Sequence, residues 1–362
     1  MHQFRRLQVG SVERQTRDAV VVTFDVPASL QDEFQYLQGQ HLTLRRAFDG
    51  EEIRRSYSIC SAVQDQTLRV AIKRVQDGLF SNWANDELAP GMGLDVMPPS
   101  GRFRVDLAAP NAKHYVAFVA GSGITPILSI IKTTLMTEPG SRFTLFYGNR
   151  SASSVLFKEE LEDLKDRYIE RFRLVFILSR EQLEIDLFNG RIDRERVDAL
   201  MGLWLDPADI DVAFVCGPLD MMNDVSEGLQ AHGVPKADIK MELFATSAQD
   251  AARRQARSEA VSERPVEGES RVEVILDGRT RVLAVERGRQ NLIDAALGQS
   301  VELPYSCKAG VCSSCRCKVV AGEVDMNAVF ALEDYEIERG FVLACQSYPV
   351  SDRVVLDFDQ ET

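Results

Sequence analysis

Cys307, Cys312, Cys315 and Cys345 stand in the pattern C-x4-C-x2-C, with the fourth cysteine after 29 intervening residues. A tight loop bearing three thiols, joined by one distant thiol, can bring four thiolates onto two metal positions. This is the ligand spacing of a [2Fe-2S] cluster. The residues around the ligands are small: Ser306, Ala309, Gly310, Ser313 and Ser314. Backbone N–H groups can therefore approach the cluster sulfurs and stabilise added negative charge. Zinc is the rival occupant, since thiolates bind it too and Cys317 offers a spare sulfur. Structural zinc sites, however, use paired C-x2-4-C knuckles, whereas here Cys312 and Cys315 form the single such pair. Disulfides fit less well, because the cysteine total of seven is odd. The N-terminus sets Arg5 and Arg6 among polar residues instead of the apolar core of a signal peptide. A reducing cytoplasm is the expected location.

A chain of 362 residues has room for two or three domains, each with its own core. Its net charge of −13 argues against nucleic acid as a partner, which would need a clustered basic surface. The most apolar stretch, Tyr115 to Ile131, is broken by Gly121, Ser122, Gly123, Thr125 and Pro126, so no membrane span is expected. Between Thr246 and Gly268 large apolar residues nearly vanish and mixed charge rises, the composition of a solvated linker, with a short helix allowed at Ala251 to Ala260. A second change falls near Asp106 to Lys113. The expected division is 1–108, 109–245, a linker at 246–269, and 270–362.

The first part contains "AVVVTFDVP", "HLTLRRAF", "SYSIC", "LRVAIKRV" and "GLDVMPPSGRF", short β-branched or aromatic runs bounded by turn residues, which predict a small antiparallel barrel or sandwich. In the middle part, apolar runs such as "HYVAFVAG", "RFTLFYGNR", "FRLVFILSR" and "DVAFVCGP" alternate with helical stretches, one of them at Phe157 to Arg167. Strands of that kind are buried on both faces, which predicts a doubly wound parallel sheet. From Arg271 the chain offers a strand pair, a helix "NLIDAALGQ" and then the cysteine loop.

Three short segments carry candidate chemistry. In Arg55-Ser56-Tyr57-Ser58, an arginine can pair with a pyrophosphate and a tyrosine offers a ring face and a hydroxyl. Gly78-Leu79-Phe80-Ser81 opens a predicted helix, Ser81 to Leu88, whose first N–H groups could meet an anion. Taken singly, Tyr57 reads equally as a half-buried strand aromatic and Ser81 as an N-cap. Gly121-Ser122-Gly123-Ile124-Thr125-Pro126 puts two glycines at a strand-to-helix turn where a diphosphate could approach, although Pro126 replaces the third glycine of the full dinucleotide fingerprint. Cys216-Gly217-Pro218 follows a later strand, at the carboxyl end of the sheet where such folds bind ligands; alone, Cys216 reads as a small buried hydrophobe.

In this order, the R-x-Y-S, G-x-G-x-T-P and C-G-P segments resemble the ferredoxin-NADP reductase superfamily, with a C-terminal plant-type [2Fe-2S] ferredoxin domain as in the reductases of bacterial ring-oxidising systems. The resemblance implies an antiparallel β-barrel flavin domain, an α/β doubly wound nicotinamide domain and an α+β β-grasp ferredoxin domain. It implies FAD held by Arg55, Tyr57, Ser58, Lys73, Gly78 and Ser81, and a nicotinamide dinucleotide held by Gly121, Gly123, Thr125, Gly217 and Pro218. Ser58, Cys216 and Phe244 would lie at the reacting rings, with Glu242 as the terminal acid of the "MELF" segment. Cys307, Cys312, Cys315 and Cys345 would hold the metal cluster. Arg150, Ser179 and Arg180 follow successive strands, and the Ser-Arg pair resembles NADP-specific relatives, so NADPH is expected over NADH.

Nicotinamide gives up two electrons at once and the cluster accepts one, so a flavin must stand between them. The expected path is NADPH to FAD to [2Fe-2S] to the oxygenase component of a multicomponent system, with a Rieske oxygenase or a hybrid-cluster protein as alternative acceptors. No catalytic histidine is required, and His2, His41, His114 and His232 have no expected role. Glu323, Asp325, Glu333, Asp334, Glu336 and Glu338 form an acidic run near the cluster, read either as a docking surface for a basic partner or as a solvated helix face.

Overall fold

The computed structural model describes residues 3–244, 268–328 and 330–360. The expected helix at Ala251 to Ala260 and nearly all of the expected 246–269 linker lie outside the described residues. The chain divides into two compact units, one containing Phe4–Ile53 with Tyr57–Phe244 and the other chiefly the C-terminal part.

The first unit begins with strands β1 (Arg5–Thr16), β2 (Ala19–Asp25), β3 (His41–Phe48), β4 (Glu51–Ser58) and β5 (Leu68–Lys73), helix α1 (Leu79–Asp86) and strand β6 (Gly93–Ser100). They form one sheet in the order β4-β3-β6-β1-β2-β5. An antiparallel bridge from Ile59 to Val70 joins its two edges, closing it into a barrel. Alternation sets the inside: Leu7 and Val9, Val20 and Val22, Leu42 and Leu44, and Val70 and Ile72 all pack into one core. At the β3–β4 turn, Asp49 (φ 49) and Gly50 (φ 88) both take left-handed backbone, as the tight hairpin requires. The helix expected at Ser81 to Leu88 starts earlier, with Gly78 as its N-cap, because Ser81 is turned back on the preceding loop and does not cap the helix. Its hydroxyl accepts from Val75 N–H (3.1 Å) and donates to the Gly78 carbonyl (3.2 Å).

The same unit continues as β7 (His114–Ala120), α2 (Ile124–Thr137), β8 (Arg142–Asn149), α3 (Lys158–Arg167), β9 (Phe172–Leu178), α4 (Arg194–Leu203), β10 (Val212–Gly217), α5 (Leu219–Ala231) and β11 (Ile239–Leu243). All five strands are parallel, in the order β11-β10-β7-β8-β9. The chain order reverses between β7 and β10, and at such a switch point a crevice opens at the carboxyl ends of the strands. Barrel and sheet are fastened together away from that crevice. Lys132 on α2 bonds both Asp65 of the barrel (2.6 Å) and Glu160 of α3 (2.8 Å), Val63 N–H donates to Thr133 (3.2 Å), and Phe103 meets Phe214 edge-on at 5.5 Å.

The C-terminal unit comprises β12 (Glu269–Leu276), β13 (Arg279–Glu286), α6 (Leu292–Gly298), β14 (Arg316–Ala321), β15 (Val324–Met326), α7 (Asp334–Glu338), β16 (Phe341–Leu343), β17 (Ser347–Pro349) and β18 (Arg353–Asp357). Its main sheet runs β13-β12-β18-β14-β16, with β12 parallel to β18 and the other pairs antiparallel. Leu292, Ile293, Ala295 and Ala296 bury one face of α6 in the core of this unit, a β-grasp arrangement. The β12–β13 hairpin again turns on an Asp-Gly pair, Asp277 (φ 50) and Gly278 (φ 68), and both of their N–H groups donate to Asp359, at 2.7 and 2.8 Å. Among the described residues no helix is long and apolar enough to cross a membrane.

Candidate active site

Three side chains distant in sequence converge at the switch point. Ser58 closes β4 of the barrel, Cys216 lies near the end of β10, and Glu242 lies beside it on β11, where the two strands pair at Cys216 and Glu242. The buried Ser58 hydroxyl donates to the Glu242 carboxylate at 3.5 Å. Burial, with the Glu242 charge as a second cause, pushes the Cys216 thiol well above its usual range, so it stays a neutral S–H. Phe244 packs, partly buried, against the core cluster that contains Cys216.

The glycine turn sits directly on this group. A Cβ at Gly123 would stand 2.3 Å from the Cys216 carbonyl oxygen and 3.1 Å from its sulfur, so the two strand ends pack backbone to backbone. Gly121 takes φ +56, its carbonyl accepts from the Tyr147 hydroxyl (2.9 Å), and the space where its Cβ would stand is open. The buried Thr125 donates its hydroxyl to the Ser122 carbonyl (3.1 Å), which locks the turn. A Cβ at Gly217 would meet Met221 at 2.7 Å and Ala120 at 3.2 Å, and Pro218 is the N-cap of α5. Sequence reasoning missed Tyr147 because a tyrosine inside an apolar strand gives no signal apart from burial.

Of the residues expected at the flavin, Tyr57 is half-buried with its ring 5.8 Å from Phe80 of α1, and Arg55 is exposed on β4. Gly78 forms a cradle: a Cβ there would lie 2.7 Å from Ser81 Oγ. No side chain caps α1 at this end. An open helix start next to an aromatic and a glycine suits a pyrophosphate-bearing flavin. Lys73 ends β5, 3.8 Å from Asp18.

Arg150 and Arg180 follow β8 and β9, and the backbone sets them side by side: Arg180 N–H donates to the Arg150 carbonyl (2.8 Å) and Ser179 N–H to the Asn149 carbonyl (2.9 Å). Both arginines and Ser179 are exposed. Glu181 accepts from Ala152 N–H (3.0 Å), tying the two loops together.

In the C-terminal unit the four cysteines form two pairs. The hydrogen bond that Cys307 donates to Cys312, with burial, raises the Cys307 thiol, while Cys315 is raised by the bond it donates to Cys345 and by burial. Cys345, accepting from Cys315, is lowered. Ala309 N–H donates to Cys307 Sγ at 3.3 Å, and Gln346 Nε2 to Cys345 Sγ at 3.5 Å. The Ser314 hydroxyl is buried without a partner among the described residues, a donor that a cluster sulfide would satisfy. The residues therefore fit a [2Fe-2S] cluster. Cys317 is buried in the core on β14, and burial raises its thiol.

One member of the acidic run is misplaced by the surface reading. Glu336 is 1% exposed and ion-paired with Arg316 at 3.0 Å, whereas Glu333, Asp334 and Glu338 are exposed. Period decides this, because α7 turns Glu336 inward.

The family model for a 2Fe-2S iron-sulfur cluster binding domain matches residues 274–350, that for an oxidoreductase NAD-binding domain 118–227, and that for an oxidoreductase FAD-binding domain 6–105. A 1,2-phenylacetyl-CoA epoxidase subunit from Escherichia coli is 45% identical, over 99% of both chains. The chain belongs to this reductase family. The ferredoxin reductase component of 3-ketosteroid-9-alpha-monooxygenase from Rhodococcus rhodochrous, another relative, is 37% identical over 97% of this chain and 96% of its own length. The structure of phthalate dioxygenase reductase shares the fold, with a TM-score of 0.57 and 22% identity over 98% of each chain. As a member of this reductase family the protein is an oxidoreductase with FAD-, NAD- and 2Fe-2S-binding domains, of the kind that supplies electrons in multicomponent oxygenase systems.

Proposed function

We propose that this chain takes electron pairs from NADPH, passes them through FAD, and releases them singly from a [2Fe-2S] cluster to an oxygenase component, with a phenylacetyl-CoA epoxidase as first candidate partner. The observation that carries this reading is the meeting of Ser58, from the flavin barrel, with Glu242 and Cys216 at the nucleotide crevice. FAD, when bound, accepts two electrons together and gives them up one at a time. The protein's task is placement. Arg55, Lys73, Gly78, Ser81 and the start of α1 would hold the pyrophosphate end of the FAD, and Tyr57 would contact the flavin. Ser58, whose proton is directed at Glu242, would turn its hydroxyl oxygen toward the flavin. Gly121, Gly123, Thr125, Gly217 and Pro218 shape the dinucleotide path, where a side chain on Gly123 would collide with Cys216. Cys216 would supply a small neutral wall and Phe244 an aromatic ring to the bound rings.

Arg150, Ser179 and Arg180 favour NADPH, because among the described residues neither guanidinium has an ion-pair partner and a 2′-phosphate would satisfy both. Cys307, Cys312, Cys315 and Cys345 hold the cluster. The exposed acids Glu323, Asp325, Glu333, Asp334 and Glu338 form the docking face for the oxygenase. We place the domain limits at 1–108, 109–245 and 270–362, and cysteines with no disulfide among the described residues suit the cytoplasm. The test is an anaerobic titration of purified protein with NADPH and, separately, NADH. Flavin and iron-sulfur absorption must both bleach, and NADPH must act at the lower concentration. A second assay offers the reduced protein to a phenylacetyl-CoA epoxidase and to a 3-ketosteroid monooxygenase; faster transfer to the latter would remove the epoxidase assignment.

A further inference from the structure

Arg316 directly follows the ligand Cys315, and its guanidinium is 17% exposed. It lies 4.6 Å over the ring of Phe341 and bonds Glu336 Oε1 at 3.0 Å. The second carboxylate oxygen accepts the Glu333 N–H (3.0 Å), which anchors the start of α7. The backbone around Arg316 is equally fixed: Arg316 N–H donates to Ser313 O (3.0 Å), and Ala344 N–H, beside Cys345, donates to Cys315 O (3.0 Å). A buried carboxylate is expensive unless paired, and pairing it with an arginine is not needed for packing. An apolar couple of similar volume would fill the same space.

We propose that the Arg316–Glu336 pair is a positioning couple that keeps the charge beside the cluster balanced and thereby sets its reduction potential. This rests on the cluster reading above. The cluster gains one negative charge on reduction, so a lone positive charge beside Cys315 favours the reduced state and a lone negative charge disfavours it. In low dielectric neither is well screened. The pair holds both charges within one hydrogen bond of each other, leaving little net field at the ligands.

The experiment is a spectroelectrochemical titration of the full-length holoprotein and its variants, with iron content measured alongside. Glu336→Gln shifts the cluster potential upward and Arg316→Gln shifts it downward, while the double substitution returns close to the parent. Arg316→Lys keeps the charge and leaves the potential near the parent value even where thermal stability falls. Glu338→Gln, on the exposed face of the same helix, leaves it unchanged. Should Glu336→Gln lose its iron, the contrast between Arg316→Lys and Arg316→Gln decides the matter alone. Shifts of one sign in both single variants, or none at full iron content, overturn the proposal. A parent protein with no iron-sulfur spectrum overturns the cluster reading instead.

Discussion

The cluster loop and the nucleotide crevice are built in opposite ways. Three of the four cysteines proposed as cluster ligands lie between residues 307 and 315, and the fourth is brought in by the short β16 and the turn after it. The crevice draws Ser58, Gly123, Cys216 and Glu242 from four strand ends spread over most of the first unit. A loop site depends on identity at a few neighbouring positions. An assembled site depends on how a barrel and a sheet are held together, so it can fail through residues that touch no cofactor.

The largest expected effect separates the two regions. Cys345→Ser should remove the iron-sulfur absorbance and all transfer to an oxygenase, while NADPH oxidation with a small artificial acceptor continues; loss of both activities would show that the regions are not separable. At the nucleotide end, Arg180→Ala should raise the NADPH KM by roughly 10–100-fold, the worth of one charge-assisted phosphate contact, with the NADH KM unchanged. Equal changes for both nucleotides would remove Arg180 from the 2′-phosphate site.

A smaller effect tests the sheet beneath the crevice. His114, which opens β7 and bonds Thr144 at 2.9 Å, is held neutral by burial, then by the charge of Arg142, with its pKa lowered to about 4. An unfolded chain takes up this proton near pH 6.5 and the folded chain only near pH 4. The contribution is therefore complete above pH 6.5 and is lost as pH falls toward 4, by about 2 kcal/mol once partial solvent screening is allowed for. Calorimetry across this range should show a steeper fall for the parent than for His114→Asn; parallel curves would count against it. The smallest effect concerns the fastening. Lys132→Met leaves Asp65 and Glu160 facing each other and should cost about 1–2 kcal/mol in chemical denaturation, with slower flavin reduction and an unchanged cluster spectrum. A change at the cluster would contradict the division of labour.

Legibility in the sequence follows the same division. The cysteine spacing, the short β-branched and aromatic runs of the barrel and the wholly apolar strands of the parallel sheet are local patterns, and local sterics and burial decide them. The R-x-Y-S, glycine-turn and C-G-P segments were legible one at a time, each with an ordinary structural reading beside it. Their meeting at Ser58, Cys216 and Glu242 was implied by the resemblance of the three segments together and not by any one of them, because strand order in a sheet is a long-range choice that no segment encodes by itself. The same holds for charge. In the acidic run Glu336 and Glu338 look alike, yet one is sealed against Arg316 and the other faces water. Which carboxylates meet solvent depends on what packs against the helix, and only the folded unit decides that.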